Sequence, residues 1–446
     1  MENLSELQDV VIIGAGFTGL SAGYELTKNK FKCILLESEN EIGGLAASFN
    51  VGNEKLDRFY HHWFTNDKDV MSLINELGLI NKVEVNPTNT GIYFANNFFK
   101  LSTPWDLLNF KPLNFFDRIK LGILAIRAKQ VKNWKELENK TAEEWLKDLG
   151  GKNVYRIVWQ PLLKGKFGPY ANKISAVWFW NKLKLRGGSR GKGGEERLAY
   201  FDGGFISLAE SISKSIKKNK GKILLNQKVQ SVYKNKDLWT IETNKNLFKA
   251  KNVIFTTALP ITAKLINKWA NQEYLKTLNR IQYIGNICLI LELKHSLSDT
   301  YWLNVNDPDF PFVGLIEHTN FKDSKFYNNK HIVYLSKYLP HQDKIYSMSK
   351  NEFLDYAIPY IKKMFPNFKK TWIINHHLWR AKWSQPIVEK NYSSLIPSMN
   401  GPKKGMFLCS MAQIYPEDRG TNYAIREGRK IGRSISEILT LSKNNN

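Results

Sequence analysis

Residues 10–26 read VVIIGAGFTGLSAGYEL. Val10 to Ile13 make a short apolar strand, Gly14, Gly16 and Gly19 follow in the spacing GxGxxG, and a helix is predicted from about Thr18 to Lys28, with Leu20, Gly23 and Leu26 facing a sheet. The next apolar run, Phe31 to Leu36, ends in Glu37, 18 residues after Gly19. Together these form a βαβ unit of about 30 residues. Gly14 permits the tight turn, Gly16 lets the backbone approach a pyrophosphate, and Gly19 allows close helix packing. A phosphate resting on free amides at the helix start also places Ala15, Phe17 and Thr18 at the ligand. Glu37, with Ser38 beside it, would accept hydrogen bonds from ribose hydroxyls, and its charge would repel a 2′-phosphate. The reading is an ADP-containing dinucleotide.

A second stretch free of side chains follows at Glu41-Ile42-Gly43-Gly44. It allows backbone to press against the phosphates and ribityl chain of a longer, deeply buried cofactor, which an NAD site does not need.

The 446 residues, 43% hydrophobic and 13% aromatic, are enough for two to three cores. With 24% charged residues, a disordered chain and an integral membrane protein are both poor fits. Lys and Arg total 65 against 41 Asp and Glu, a formal charge of +24. The excess is lysine dispersed along every segment, which describes a solvated surface rather than a nucleic-acid site and leaves attraction to an anionic membrane as the functional remainder. Cys33, Cys288 and Cys409 sit singly in apolar runs and read as reduced core residues. The amino-terminal MENLSELQDV lacks an apolar targeting segment, so the expected compartment is the cytoplasm, with peripheral contact to the cytoplasmic face of a membrane left open.

Further along, Asn66 is expected to cap a helix carrying Val70, Leu73, Ile74 and Leu77, which Gly78 stops. Residues 100–200 read as mainly helical, with a start at Thr103-Pro104, an amphipathic stretch from Asn114 to Val131 and a capping box at Thr141 and Glu144. Gly203-Gly204-Phe205 opens a helix with Leu208, Ile212 and Ile216, and strands are expected near 222–233, 238–243 and 252–257. Strand-like runs at 281–340 and 370–380 flank a helix started by Ser349 and Glu352, and the chain closes with a strand, Met406 to Ser410, and a helix from about Thr421 to Leu439. The histidine pairs at 61–62 and 376–377 do not make a metal site, because neighbours in a strand point oppositely.

VVIIGAGFTGLSAGYEL, LLESENEIGGLAASF (35–49), FDGGFISLAESI (201–212) and the closing strand and helix together resemble the FAD-dependent amine oxidase and protoporphyrinogen oxidase superfamily. Residues 159–180, WQPLLKGKFGPYANKISAVWFW, look like the substrate-domain stretch of protoporphyrinogen oxidases. The resemblance implies an α/β fold: a Rossmann-like FAD-binding domain of glutathione-reductase type, discontinuous over 8–75, 200–265 and 405–440, with an interleaved α+β substrate domain over 76–199 and 266–404. It implies FAD as cofactor, a contact from Val229, and a last helix whose amino end faces the flavin, where it would stabilise negative charge developing at N1 and C2=O. Arg419, Gly420, Thr421, Asn422 and Tyr423 would then lie nearest. Two positions depart from the amine oxidases: Leu45 stands where an arginine follows the glycine pair, and Ser410-Met411 where an acid ends the last strand, with Glu417 or Asp418 as replacements.

Tyr60-His61-His62-Trp63-Phe64-Thr65-Asn66 is similar to the stretch after the glycine pair in UDP-galactopyranose mutases, which matches His62 to their flavin-side histidine. Two functions therefore stand: hydride transfer from a small or hydrophobic substrate to flavin N5, or a non-redox rearrangement of a nucleotide sugar needing arginines such as Arg186, Arg190 and Arg280 for its diphosphate. His62, Trp383, Tyr415 and Arg419 are the candidates for catalysis, and Trp379, Trp383, Tyr338 and Tyr415 for an apolar substrate wall. The glycine-rich 182–197 could gather around an anion. The stretch from Pro104 to Trp134 either rests on a membrane or packs on the substrate domain. The oligomeric state is open.

Overall fold

The computed structural model describes residues 6–100, 106, 109–188 and 196–444. The two apolar runs flanking the first glycine motif become adjacent parallel strands, Gln8–Ile13 and Cys33–Leu36, with Val10 opposite Cys33 and Ile13 opposite Leu36. Lys222–Leu224 extends this parallel sheet on one side, and Leu247–Phe255 on the other. Leu247–Phe255 serves two neighbourhoods along its length. Its first half closes an antiparallel meander with Val229–Asn235 and Leu238–Thr243, while its second half lies between Gln8–Ile13 and the late strand Met406–Leu408, both parallel to it. Strands from the beginning, middle and end of the chain thus share one sheet, as burial of continuous apolar runs such as Val10 to Ile13 demands.

The helix Phe17–Lys28 is buried nearly all round, and glycines explain how. A Cβ at Gly19 would lie 2.0 Å from the Gly14 carbonyl oxygen, and on the last helix, Thr421–Asn444, a Cβ at Gly428 would lie 2.3 Å from that of Thr18. Backbones therefore meet directly, and Arg429 and Arg433 tie the same two helices through the buried Glu25.

A second sheet runs in the order Ile373–Pro386, Tyr283–Leu293, His331–Leu339, Gly314–Glu317, Trp302–Val305, Thr90–Phe94, Asn97–Lys100. Every residue of Tyr283–Leu293 is buried because both faces are covered. Ile287, Leu289, Leu291 and Leu293 pack toward the helix Lys350–Met364, and Cys288 and Ile290 belong to the core of the first sheet and its helices, following the period of two. A helical layer, Phe115–Gln130, Ala142–Val154, Gln160–Phe167 and Ala176–Gly188, shares a core with the other side of that first sheet.

Local signals place most of these starts. Asn114 accepts from the Asp117 amide, and the capping boxes at Thr141/Glu144 and Ser349/Glu352 are both formed. Asn66 is not the cap of its helix: Asp67 is, ahead of Lys68–Glu76, and its carboxylate folds back onto the Phe64 amide. The closing strand is shorter than read, because Ser410 turns into a single helical turn capped with Gln413. The start signal at Thr103-Pro104 falls outside the described residues.

Candidate functional site

A cavity of about 940 Å³ opens between the first sheet and the elements that cross it. That lies near the top of the roughly 300–1,000 Å³ range of ligand and cofactor sites. One end is made almost wholly of backbone. Gly14, with φ of +107°, turns the chain so that its Cβ position would lie 2.6 Å from Thr256 Oγ1. Gly43 and Gly44 also hold positive φ, and the two glycine stretches touch: the Gly43 amide donates to the Ala15 carbonyl at 2.9 Å. Gly16 is different. A Cβ there would meet nothing of the protein closer than 3.9 Å, so packing does not require glycine at this wall of the cavity; room for a ligand does.

Glu37 stands at the same end with its carboxylate already oriented. One oxygen accepts from the Ala15 amide at 2.8 Å, the other from the Glu39 amide at 3.1 Å and the Ser38 hydroxyl at 3.1 Å. The oxygen that takes the Ala15 amide keeps a lone pair for a further donor. Gln227 to Gln230 and the helix Leu259–Ile266, with Pro260, Ile261 and Leu265, also line the cavity.

At the other end the wall is side chains from separated segments: Leu45, Ala46, His61, Lys382, Trp383, Met411, Ile414 and the turn Arg419-Gly420-Thr421 that opens the last helix. Arg419 donates to Gln385 Oε1 and to the Tyr338 hydroxyl, each at 3.0 Å. Burial opposes its charge, but Tyr338 and Asp418 outweigh burial and keep the guanidinium firmly cationic. Burial, with the nearby Arg419 charge, pushes the His61 imidazole down to about 4, so it is neutral at physiological pH.

Of the residues expected at the cofactor, Gly14, Gly16, Phe17, Thr18, Glu37, Ser38, Gly43, Gly44, Leu45, Val229, Arg419 and Thr421 line the cavity, as does Trp383. Ala15 and Gly19 stand just behind it, holding Glu37 and the turn. Asn422 and Tyr423 point elsewhere. Asn422 bonds the Val70 amide and Asp69, and Tyr423 lies under Arg426, 5.0 Å from its ring centroid. Each helix residue turns by about 100° from the last, which carries Asn422 and Tyr423 off the side that Thr421 and Ala424 give to the cavity.

His62 is likewise turned away, its Nδ1 3.1 Å from the Tyr301 hydroxyl and its ring against Phe64 and Trp302. The histidine at the cavity is His61. Tyr415 packs edge-on to Trp134, and Trp379 lies beneath Arg58, both outside the cavity wall. Tyr338 reaches the site only through Arg419. Glu417 is held by Arg426 at 3.0 Å to both oxygens and Asp418 by lysines, so neither supplies an acid to the cavity; Met411 and Ile414 make that position apolar. His61, Lys382 and Thr256-Thr257 were not singled out by sequence. The last pair had a signal, since it ends a buried strand just before a proline-started helix.

Residues 17–431 match the family model for flavin containing amine oxidoreductases. The chain belongs to that family. Its cofactor is FAD, and the Gly16 wall, the paired glycine turns and the oriented Glu37 are the groups that fit it. The chain is 26% identical over 279 residues to an amine oxidase [flavin-containing] of Oncorhynchus mykiss, covering 58% of this chain and 51% of that protein. It is 23% identical over 435 residues to a 15-cis-phytoene desaturase of an Oncidium hybrid cultivar, covering 90% and 73%. The chain thus spans about half the length of the amine oxidases it matches.

Among solved structures it is similar to an assigned protoporphyrinogen oxidase from Exiguobacterium sp. 255-15, with a TM-score of 0.77 at 15% identity over 97% of this chain and 99% of that one. It is also similar to cyclohexylamine oxidase from Brevibacterium oxydans, with a TM-score of 0.70 at 15% identity over 98% and 100%. These likenesses give the fold: a Rossmann-like FAD-binding architecture with mixed α and β elements. The nucleotide-sugar mutase reading gains nothing from these relatives, from His62, or from Arg280, whose exposed side chain donates to the Ser394 carbonyl and does not line the cavity. Arg190 lies outside the described residues, and no group of metal-binding side chains occurs among the described ones.

Proposed function

We propose that this protein is an FAD-dependent oxidoreductase that removes a hydride equivalent from a small or hydrophobic organic substrate, with segments 8–75, 200–265 and 405–440 holding the cofactor and 76–199 and 266–404 the substrate. One observation carries the reading: the glycine motifs near residue 16 and the start of the last helix line a single cavity. When bound, FAD supplies two-electron acceptance. The chain supplies the rest. Backbone amides and the amino end of Phe17–Lys28 hold phosphate, Glu37 holds ribose, and the amino end of Thr421–Asn444 with Arg419 places positive potential where charge would accumulate. Trp383, Met411 and Ile414 exclude water, and neutral His61 offers a hydrogen bond without a competing charge.

The test is anaerobic addition of candidate substrates to the flavin-loaded protein. Bleaching of the flavin's visible band, with recovery and peroxide release on admitting air, is the expected result; a flavin that no reductant substrate bleaches would count against turnover.

We propose further that the protein works in the cytoplasm at an acidic phospholipid surface. On Phe115–Gln130, Phe115, Phe116, Ile119, Ile123 and Ile126 are exposed along one side while Leu121, Leu124 and Ala128 face the core. Lys111, Arg127 and Lys129 flank that stripe, a composition suited to an anionic interface. No helix among the described residues is long and apolar enough to cross a bilayer. Sedimentation with phosphatidylserine-containing vesicles should carry the protein down, and Phe116→Ser with Ile126→Ser should release it.

A further inference from the structure

Past Arg419, on the side away from the glycine motifs, three cations meet one carboxylate. Asp418 is 3% exposed, and its Oδ2 lies 2.6 Å from Lys182 Nζ and 3.7 Å from Lys166 Nζ, while Oδ1 accepts from Gln385 Nε2 at 3.0 Å. Arg419 gives its own N–H groups to the neutral acceptors Gln385 and Tyr338. Neighbouring acids offset this only in part. Glu417 is matched by Arg426, and Asp67, near enough to feel Lys182, accepts from the Phe64 amide and, pushed up to about 6 by burial, still carries most of its charge at neutral pH. With Lys166 protonated, the three cations exceed Asp418 and Asp67 by one charge.

The cluster's two lysines are partly exposed. Asp418 is buried, while the side chains of Lys166 and Lys182 keep 24% and 34% of their exposure. Aromatic rings wall the two ammonium groups: Lys166 lies 4.9 Å from the Trp178 centroid and 5.4 Å from that of Tyr338, and Lys182 5.7 Å from Trp178. The parts come from two helices of the helical layer, two strands of the second sheet and the turn before the last helix. Enclosing unmatched cations costs free energy unless an anion joins them. Lys166 shows that cost: burial, with Lys182 and Arg419, pushes it down to about 7 despite Asp418.

We propose that Lys166 and Lys182, backed by Asp418 and Arg419, form a subsite for an oxyanion on the substrate, a carboxylate or a phosphate, so that the substrate is an acid rather than a simple amine. Because Arg419 also lines the cavity, the anion would sit beside the end of the cavity opposite Glu37. The inference rests on the oxidoreductase reading of that cavity.

Flavin-loaded protein titrated with benzoate, phenyl phosphate and benzylamine, followed by flavin absorption and by calorimetry, tests it. One of the acids should bind at least about tenfold more tightly than benzylamine, the tighter of the two marking carboxylate or phosphate. Lys166→Gln and Lys182→Gln should each weaken it about tenfold, Lys166→Arg should recover most of the loss, and flavin content should stay unchanged. Acids no tighter than the amine, or unaffected by both glutamine variants, would overturn the subsite. Protein that holds no flavin would overturn the oxidoreductase reading instead, and calorimetry of the acids on that colourless protein still decides the subsite.

Discussion

The two ends of the cavity are built from different materials. At the glycine end the chain offers amides, carbonyls and missing side chains within a run of about 30 residues. At the Arg419 end, every chemically distinctive group is a side chain delivered by a different element, from His61 to Trp383 to Arg419. Backbone recognition has to be written as spacing, since only particular positions can lack a Cβ. Side-chain recognition is written as distance in space, which spacing along the chain does not record.

The sharpest test of this contrast uses two neighbouring glycines. Gly16→Val should abolish FAD retention, an effect of at least about a thousandfold in affinity, while leaving the thermal stability of the cofactor-free protein little changed, because its extra atoms enter the cavity. Gly19→Ala should do the reverse and lower stability by about 3 kcal/mol, because its methyl would collide with the Gly14 carbonyl. Equal losses of stability would erase the distinction between a glycine kept for the ligand and one kept for packing.

A second test concerns protons. His61 and the buried His318, which burial holds near 3, are both neutral in the folded protein, whereas an unfolded imidazole takes a proton near 6.5. The unfolded chain therefore binds more protons between about pH 6.5 and 4, and stability falls as pH drops through that window, by up to about 3 kcal/mol for each group. Urea unfolding across pH should show this slope, and His61→Gln should flatten part of it. The glycine end contains no such group and Gly16→Ala should leave the slope intact.

The smallest effect is expected at Glu37→Gln. The Ala15 and Glu39 amides would keep one good acceptor, so FAD affinity should fall only about tenfold, roughly 1.4 kcal/mol, measured by flavin release. A larger loss would mean that this carboxylate orients the turn as well as the ribose.

The same contrast explains what was legible in the sequence. GAGFTG, Glu37, Gly43-Gly44 and three helix caps could be read directly because each acts within one turn or one βαβ unit. The resemblance points to His62 and the structure to His61, because nothing local says which of two adjacent rings faces inward once the chain leaves a strand; Tyr301 and Trp302, some 240 residues on, decide it. The start of the last helix at Thr421 is legible, but which of its first residues face the cavity is not, and Asn422 and Tyr423 do not. The meeting of Lys166 and Lys182 with Asp418 has no spacing signal, although 182–197 reads as anion-gathering, since it needs a helical layer and a turn more than 230 residues apart.

The strand Leu247–Phe255 carries a consequence for biosynthesis. Its Val253 to Phe255 edge has no neighbour until Met406–Leu408 emerges, and Phe17–Lys28 lacks one of its covers until the helix after it is made. During translation the nascent chain must therefore wait, with that strand edge unpaired, until residues 406–444 are made, and the Arg419 end of the cavity cannot close before then.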